Sequence, residues 1–584
     1  MKFILDKSFV EAMISEFAEL TFLAEQLRFG NRAEVSYQQL ARQHIAHLHS
    51  LYQSAGKAMA PQAALVATLL QASDYSGHRF NEGELEFLLP EIVAYLSDKT
   101  QKGWLFKVNS EGKPLPWLVT RIDYTPPGEE ETGRVLVELK ANAMAKVAVQ
   151  TMTILERDIK EKTLAEILIA KGYLKETADL LAQYEESNER YFSWRSEDGE
   201  QFVAQGTGIY AEDTSASHRT TDWSRKSRVV LSSSGDKARL VNDETILQNR
   251  ELTLQLPGQV LSKYLRKAGR STNYNEKVEK AAEQLVSDME STMFTEVPVH
   301  GYILMFHLEL HHHLWVHVDD MQRYQYQPEL KDKLVLPAEH TDLIDILTAE
   351  MDMLMDDIIS GKSGGTTVLC AGSAGVGKTL TAEVYAEIIQ RPLYRVHSGQ
   401  LGLNVMEMEQ ALKETLTRAQ RWGAVMLIDE ADVYIKRRDD NIAANAVVGV
   451  FLRVLEYFNG LLFLTTNRVN DIDEAIVSRC IALIKYHPPG REDRQRIWSV
   501  MAEQFQLNLS AAFCAQLADI FPHACGRDIK GLAKLVAKYC RYKNVSASID
   551  VFIRCSGFRG IEAHGSVVHE QTAHGNGVSA AQMN

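Results

Sequence analysis

The stretch CAGSAGVGKTLTAEVYAE, residues 370–387, decides how the 584-residue chain is read. Within it, Gly372-Ser373-Ala374-Gly375-Val376-Gly377-Lys378-Thr379 satisfies G-x-x-x-x-G-K-[ST] without a gap. The apolar run TTVLCA comes before, and a helical pattern follows through Leu380. That context predicts a strand, a tight loop and a helix. Loop glycines let backbone N–H groups curl around phosphate oxygens at a helix N-terminus, where the dipole favours anions. Lys378 supplies a point charge for the β- and γ-phosphates, and the Thr379 hydroxyl can ligate Mg²⁺. The expected ligands are ATP and Mg²⁺, held by residues 372–380 together with Asp429.

Downstream of Lys378 comes AVMLIDEAD, residues 424–432. A buried strand there delivers Asp429 and Glu430 to the carboxyl edge of a sheet, where open α/β sheets bind ligands. Asp429 is expected in the Mg²⁺ shell, and Glu430 is expected to polarise the attacking water. Asp432 is read as a helix cap. The next strand, LLFLTTN, ends in Asn467, whose amide can orient the water or touch the γ-phosphate. Arg479, in SRCIALIKY, shows no local carboxylate partner in sequence and reads as a finger reaching a neighbour's nucleotide. Arg527, in GRDIKGL, opens a helix from which it can meet the γ-phosphate.

Taken in order, GSAGVGKT, VMLIDEAD, TTNR, SRC and GRDI resemble an AAA+ ATPase module over roughly residues 334–555. The text between these motifs is similar to the AAA modules of large multidomain fungal ATPases and related microbial proteins. The resemblance implies Walker A at Lys378 and Thr379, and Walker B at Asp429 and Glu430. It also implies sensor 1 at Asn467, the arginine finger at Arg479 and sensor 2 at Arg527. It further implies a parallel five-stranded P-loop sheet of order 5-1-4-3-2, a helical lid, and a ring, usually a hexamer, with sites between subunits. Two departures stand out. The loop after the second strand offers Leu401-Gly402-Leu403 where many unfoldases carry an aromatic residue, which leaves threading open. The SRC motif resembles that of clamp loaders, although the flanking text favours the fungal-type group.

The remaining sequence frames this module. Lys and Arg number 63 against 77 Asp and Glu, a net charge of −14, which argues against coating nucleic acid by bulk charge. Six scattered cysteines, with no C-x-x-C pair, suit a reducing compartment. Early charges in MKFILDKSFVEAM argue against a signal peptide, and no apolar run is long enough to span a bilayer. The expectation is a soluble, cytoplasmic protein with no membrane contact. Five segments are predicted: helical 1–95, an α+β recognition region 96–333, the α/β ATPase core 334–490, a helical lid 491–556 and a disordered tail 557–584. A long amphipathic helix is expected across roughly 143–188, with a break at Gly172 as the alternative.

Before residue 334, HLELHHHLWVHVDD reads as one strand, with His307, Glu309, His311, His313, His317 and Asp319 on one face. A polar sheet face is the expectation, with a metal site as its alternative. Basic residues near Trp223 in 218–228 and in SKYLRKAGR, and Lys436 to Arg438 after Walker B, leave nucleic acid open as a partner. The favoured reading is an ATP-driven homo-oligomer that remodels a protein partner. A nucleic-acid-dependent motor or loader and a nucleotide-switched scaffold are the alternatives.

Overall fold

A computed structural model describes residues 2–109, 112–129, 131–144, 146–211, 228–231, 237–247, 252, 280, 284, 293–349, 365–402, 404–438 and 442–564. The basic residues expected at 219–226 and 263–270, Leu403 and the tail from 565 lie outside these. The chain divides into two units, Met1–Tyr324 and Gln325–Asn584.

In the first unit, strand Lys2–Asp6 pairs antiparallel with Arg32–Ser36, so the expected helical start contains a small sheet. Helices Lys7–Glu16, Arg42–Ser54, Ala60–Ser73 and Leu88–Ser97 follow the apolar spacing of the sequence. Their apolar faces and the sheet built on Trp104–Val108, Pro114–Thr125 and Arg134–Ala143 share one core, running from Phe3 to Val297. Helix and sheet segments therefore bury each other across the expected boundary near residue 95.

The long helix expected across 143–188 is replaced at its start by strand Lys146–Leu155, in unbroken antiparallel register with Arg134–Ala143. KVAVQTMTIL is rich in β-branched residues, and Met152 and Ile154 alternate into the core. Helix appears further on, in the short Glu156–Ile159 and Leu164–Ala170 and then, past Gly172, in the long Ala178–Arg195, where the Thr177 side chain caps Leu180 N.

A second, seven-stranded antiparallel sheet holds the histidine-rich stretch. That stretch is a hairpin rather than one strand: Tyr302–His307 pairs with His312–His317 across a turn at 308–311. His311 adopts φ +55° there, which a continuous strand would forbid. The expected polar face is solvated only in part: Glu309 and Asp319 are exposed, but His307, His313 and His317 are buried. His313 Nε2 lies 2.7 Å from Asp243 Oδ2, inside the protein. Burial pushes His307 down to about 4 and His317 down to about 3. No group of three or more His, Cys, Asp or Glu is gathered for a metal ion among the described residues.

In the second unit, five parallel strands form an α/β sheet: β1 Thr366–Gly372, β2 Leu393–His397, β3 Val425–Asp429, β4 Leu461–Thr466 and β5 Ala482–Tyr486. Across the sheet they lie in the order β2-β3-β4-β1-β5. β1, β3 and β4 are buried along nearly their whole length, as apolar runs covered on both faces require. Helices Arg491–Gln504, Ala511–Ile520, Gly526–Lys543 and Ile549–Gly557 pack around Trp498, Phe521, Leu532 and Phe552. Ile561 and Ala563 pack on this core as well, so order continues beyond the expected start of the tail at 557.

Candidate functional site

β1 ends at Gly372, where an added Cβ would meet Tyr486 O at 2.5 Å, so the chain can turn beside β5 only as glycine. Gly375 has φ +81° and Gly377 φ +103°, left-handed values that L side chains rarely adopt. Together they curl the main chain of 372–377 in front of helix α1, Lys378–Ile388. Ser373 and Ala374 are exposed at the rim of this loop, and Val376 packs partly against the sheet core.

Lys378 is buried, and its Nζ donates to Gly372 O at 2.8 Å, Ser373 O at 2.7 Å and Asn467 Oδ1 at 3.0 Å. Burial pushes the amine below the usual lysine range, and the charges of Asp429 and Asp432 oppose that shift. The loop lysine and the side chain at the end of β4 are thus in direct contact.

β3 and β4 run side by side and bring the acids to the same edge. Thr379 Oγ1 donates to Asp429 Oδ1 at 3.0 Å, and Thr465 Oγ1 donates to the same oxygen at 2.5 Å. Arg395 Nη2 donates to Asp429 Oδ2 at 2.6 Å. Burial alone would raise the Asp429 carboxyl, but the Thr465 hydrogen bond and the Arg395 charge outweigh it and hold it below its ordinary value. Glu430 is exposed, with φ +55°, and its backbone N donates to Thr465 Oγ1 at 3.0 Å. A glutamate in the left-handed region is strained, and such strain gathers at functional sites.

From the far side comes the C-terminal helical bundle. Arg527, exposed in the first turn of helix α2, Gly526–Lys543, donates its backbone N to Gly375 O at 3.3 Å. Its guanidinium is close enough to Lys378 to depress the amine further. The structure thus gathers the loop, Asp429, Glu430, Asn467 and Arg527 at one edge of the sheet, with Leu380 half-exposed in the first turn of α1.

Residues 368–487 match the family model for the ATPase family associated with various cellular activities (AAA). The chain carries an AAA ATPase domain. Fidgetin-like protein 1 of Drosophila melanogaster is 27% identical over 189 residues, 31% of this chain and 35% of that protein. An ATPase family AAA domain-containing protein 3A homolog from the same species is 23% identical over 274 residues, 41% of this chain and 45% of the other. A putative 26S proteasome regulatory subunit homolog of Methanothermobacter marburgensis is 28% identical over 172 residues, 28% of this chain and 46% of the other. The chain spans less than half the length of these relatives.

Arg479 stands apart from the other candidates in the AAA domain. Ile481 N donates to Thr367 O, so Arg479 lies by the amino end of β1, whereas the loop leaves its carboxyl end. The five residue steps from Thr367 to Gly372, at about 3.3 Å each, separate the two edges by roughly 17 Å. Contrary to the sequence reading, Arg479 also has a local carboxylate, with Nη2 2.8 Å from Glu456 Oε1.

Other expectations shift within the AAA domain. Asp432 lies in the first turn of helix Asp432–Ile435, where its Oδ1 accepts from Thr466 Oγ1 and from Asn467 N, clamping the end of β4 instead of capping a helix. Leu401 is buried, and Tyr434 donates to Ser398 O and Gly402 O, so this leucine is not offered to a threaded chain. Arg437 and Arg438 pair with Glu474 and Asp473, which leaves little free charge for a basic pore. Arg395, Thr465 and Asp432 are contacts that sequence reasoning missed; a polar residue at the carboxyl end of a buried strand was the available signal for Thr465 alone. No helix among the described residues is long and apolar enough to cross a membrane.

Proposed function

We propose that the chain is an ATP hydrolase that works as a homo-oligomeric ring, a hexamer, and reorganises a protein partner recognised through residues 1–333, in the cytoplasm. The observation carrying this reading is the Lys378–Asn467 contact at 3.0 Å beside Asp429 and Glu430. It supports a single pocket in which one cation meets phosphate, one acid meets metal and a second acid meets water.

The residues present fit Mg²⁺ and a triphosphate. Thr379 and Asp429 offer the hard oxygen donors that Mg²⁺ prefers. Gly375 and Gly377, at φ +81° and +103°, give the loop the left-handed turns that let its backbone N–H groups face a phosphate. When bound, Mg²⁺ neutralises charge on the β- and γ-oxygens.

Lys378 would exchange its carbonyl partners for phosphate oxygens. Glu430 would accept the proton of the attacking water, and Asn467 would orient that water. Arg527 would follow the γ-phosphate and carry the lid with it. Arg479, at the opposite edge, is suited to serve a neighbouring subunit's nucleotide.

The test is Lys378→Ala in the full chain. Nucleotide affinity should fall at least about tenfold, as loss of a charge-assisted phosphate contact implies. Unchanged affinity for ATP would refute the phosphate-loop assignment. Single-stranded DNA or RNA should leave turnover unchanged; strong stimulation would instead favour the nucleic-acid motor.

A further inference from the structure

Asp429 divides its two oxygens between different partners. Oδ1 takes the hydroxyls of Thr379 and Thr465, at 3.0 and 2.5 Å. Oδ2 takes Arg395 Nη2 at 2.6 Å. Arg395 sits on β2, the edge strand, two residues before His397, which is the register partner of Asp429. Its side chain therefore runs along the sheet toward the carboxyl edge. There its other terminal nitrogen, Nη1, lies 3.5 Å from Glu383 Oε1 on α1. One guanidinium thus bridges the helix that follows the phosphate loop and the carboxylate that faces the metal.

A guanidinium stays protonated at every working pH, so this positive charge is permanent. Thr379 and Thr465 already fix the carboxylate's orientation through Oδ1. What Arg395 adds is a cation that shares Asp429 with any second cation arriving there. Like charges within a few ångströms in a half-buried site repel appreciably.

We propose that Arg395 weakens the site's hold on a divalent cation, so that metal is retained only in company with nucleotide phosphates. This rests on the reading of Asp429 as the metal-facing acid. Arg395 is a positioning residue here: it touches Asp429 and acts on metal through it. A residue that merely braced β2 against α1 would leave metal binding unmoved.

The experiment follows the fluorescence of N-methylanthraniloyl-ADP bound to the full chain as MgCl₂ is added. Arg395→Gln should half-saturate at Mg²⁺ concentrations about tenfold lower than wild type, the size expected for one nearby charge. Arg395→Lys, which keeps the charge, should follow wild type. Glu383→Gln frees the guanidinium from its competing anion and should raise the Mg²⁺ requirement, giving a second readout should Arg395→Gln fold poorly. The inference is overturned if Arg395→Gln titrates at the wild-type concentration or above, or if Arg395→Lys behaves like Arg395→Gln. If wild type shows no Mg²⁺-dependent nucleotide signal at all, the nucleotide-site reading falls with it.

Discussion

Thr465 shows how much of the site depends on a residue with no motif of its own. Its hydroxyl donates to Asp429 Oδ1 and accepts from Glu430 N, so one oxygen holds both acids. The residue is fully buried at the end of β4. Thr465→Val keeps the shape and removes both bonds, which should cost about 1–2 kcal/mol of stability in the second unit. Turnover should fall more than nucleotide affinity, because Glu430 loses the anchor of a strained backbone. Equal kcat in the variant and wild type would show that Glu430 is held by other means. Thr465 lies 36 residues from Asp429, and only the pairing of β3 with β4 brings them together. G-x-x-x-x-G-K-[ST] was legible because its parts are contiguous. Thr465, Arg395 and Asp432 were not, because their partners lie on other strands and helices.

At the scale of elements, the C-terminal helical bundle meets the loop of residues 372–377 at Gly375. An alanine Cβ at Gly375 would fall 2.6 Å from Cys525 Sγ and 2.9 Å from Arg527 Cβ, in a backbone conformation that already disfavours it. Gly375→Ala should therefore push helix α2 off the loop and lower both nucleotide affinity and turnover. Gly531→Ala, in the same helix, meets only the flexible end of Arg559 and should be nearly silent. Equal effects from the two substitutions, measured by nucleotide titration, would contradict this contact. The alternation of strands and helices after residue 334 was readable because each apolar run is bounded by a turn signal. Lys146–Leu155 was not: its valines and methionine also suit a helix face, and only the neighbouring strand decides. The turn at 308–311 was hidden for a related reason, since His311 in the left-handed region carries none of the usual glycine or asparagine signal.

On the scale of the whole molecule, the two units should respond differently to acid. Burial pushes His300 and His307 down to about 4, and His317 down to about 3, all in the first unit. Unfolded histidine titrates near 6.5, so below that pH the unfolded chain binds more protons than the folded one. Stability from these neutral histidines is thus complete above about pH 6.5 and drains as pH falls toward 4. Each contributes up to about 1.4 kcal/mol per pH unit in that window. Tryptophan-detected melting of the full chain should show a transition that drops steeply between pH 6.5 and 4.5. A flat profile would mean that these histidines are not neutral in the fold. Assembly is the other property at this scale. Arg479→Ala should reduce turnover while sparing ATP binding, and mixing it with Glu430→Gln subunits should restore part of the activity. No rescue at any mixing ratio would count against a finger acting across subunits.

The most direct test is ATP binding and turnover by the full chain carrying Glu430→Gln. The variant should keep wild-type affinity for Mg·ATP while its turnover falls at least about a hundredfold, the scale of losing a positioned general base. Hydrolysis by Glu430→Gln at the wild-type rate would contradict that role.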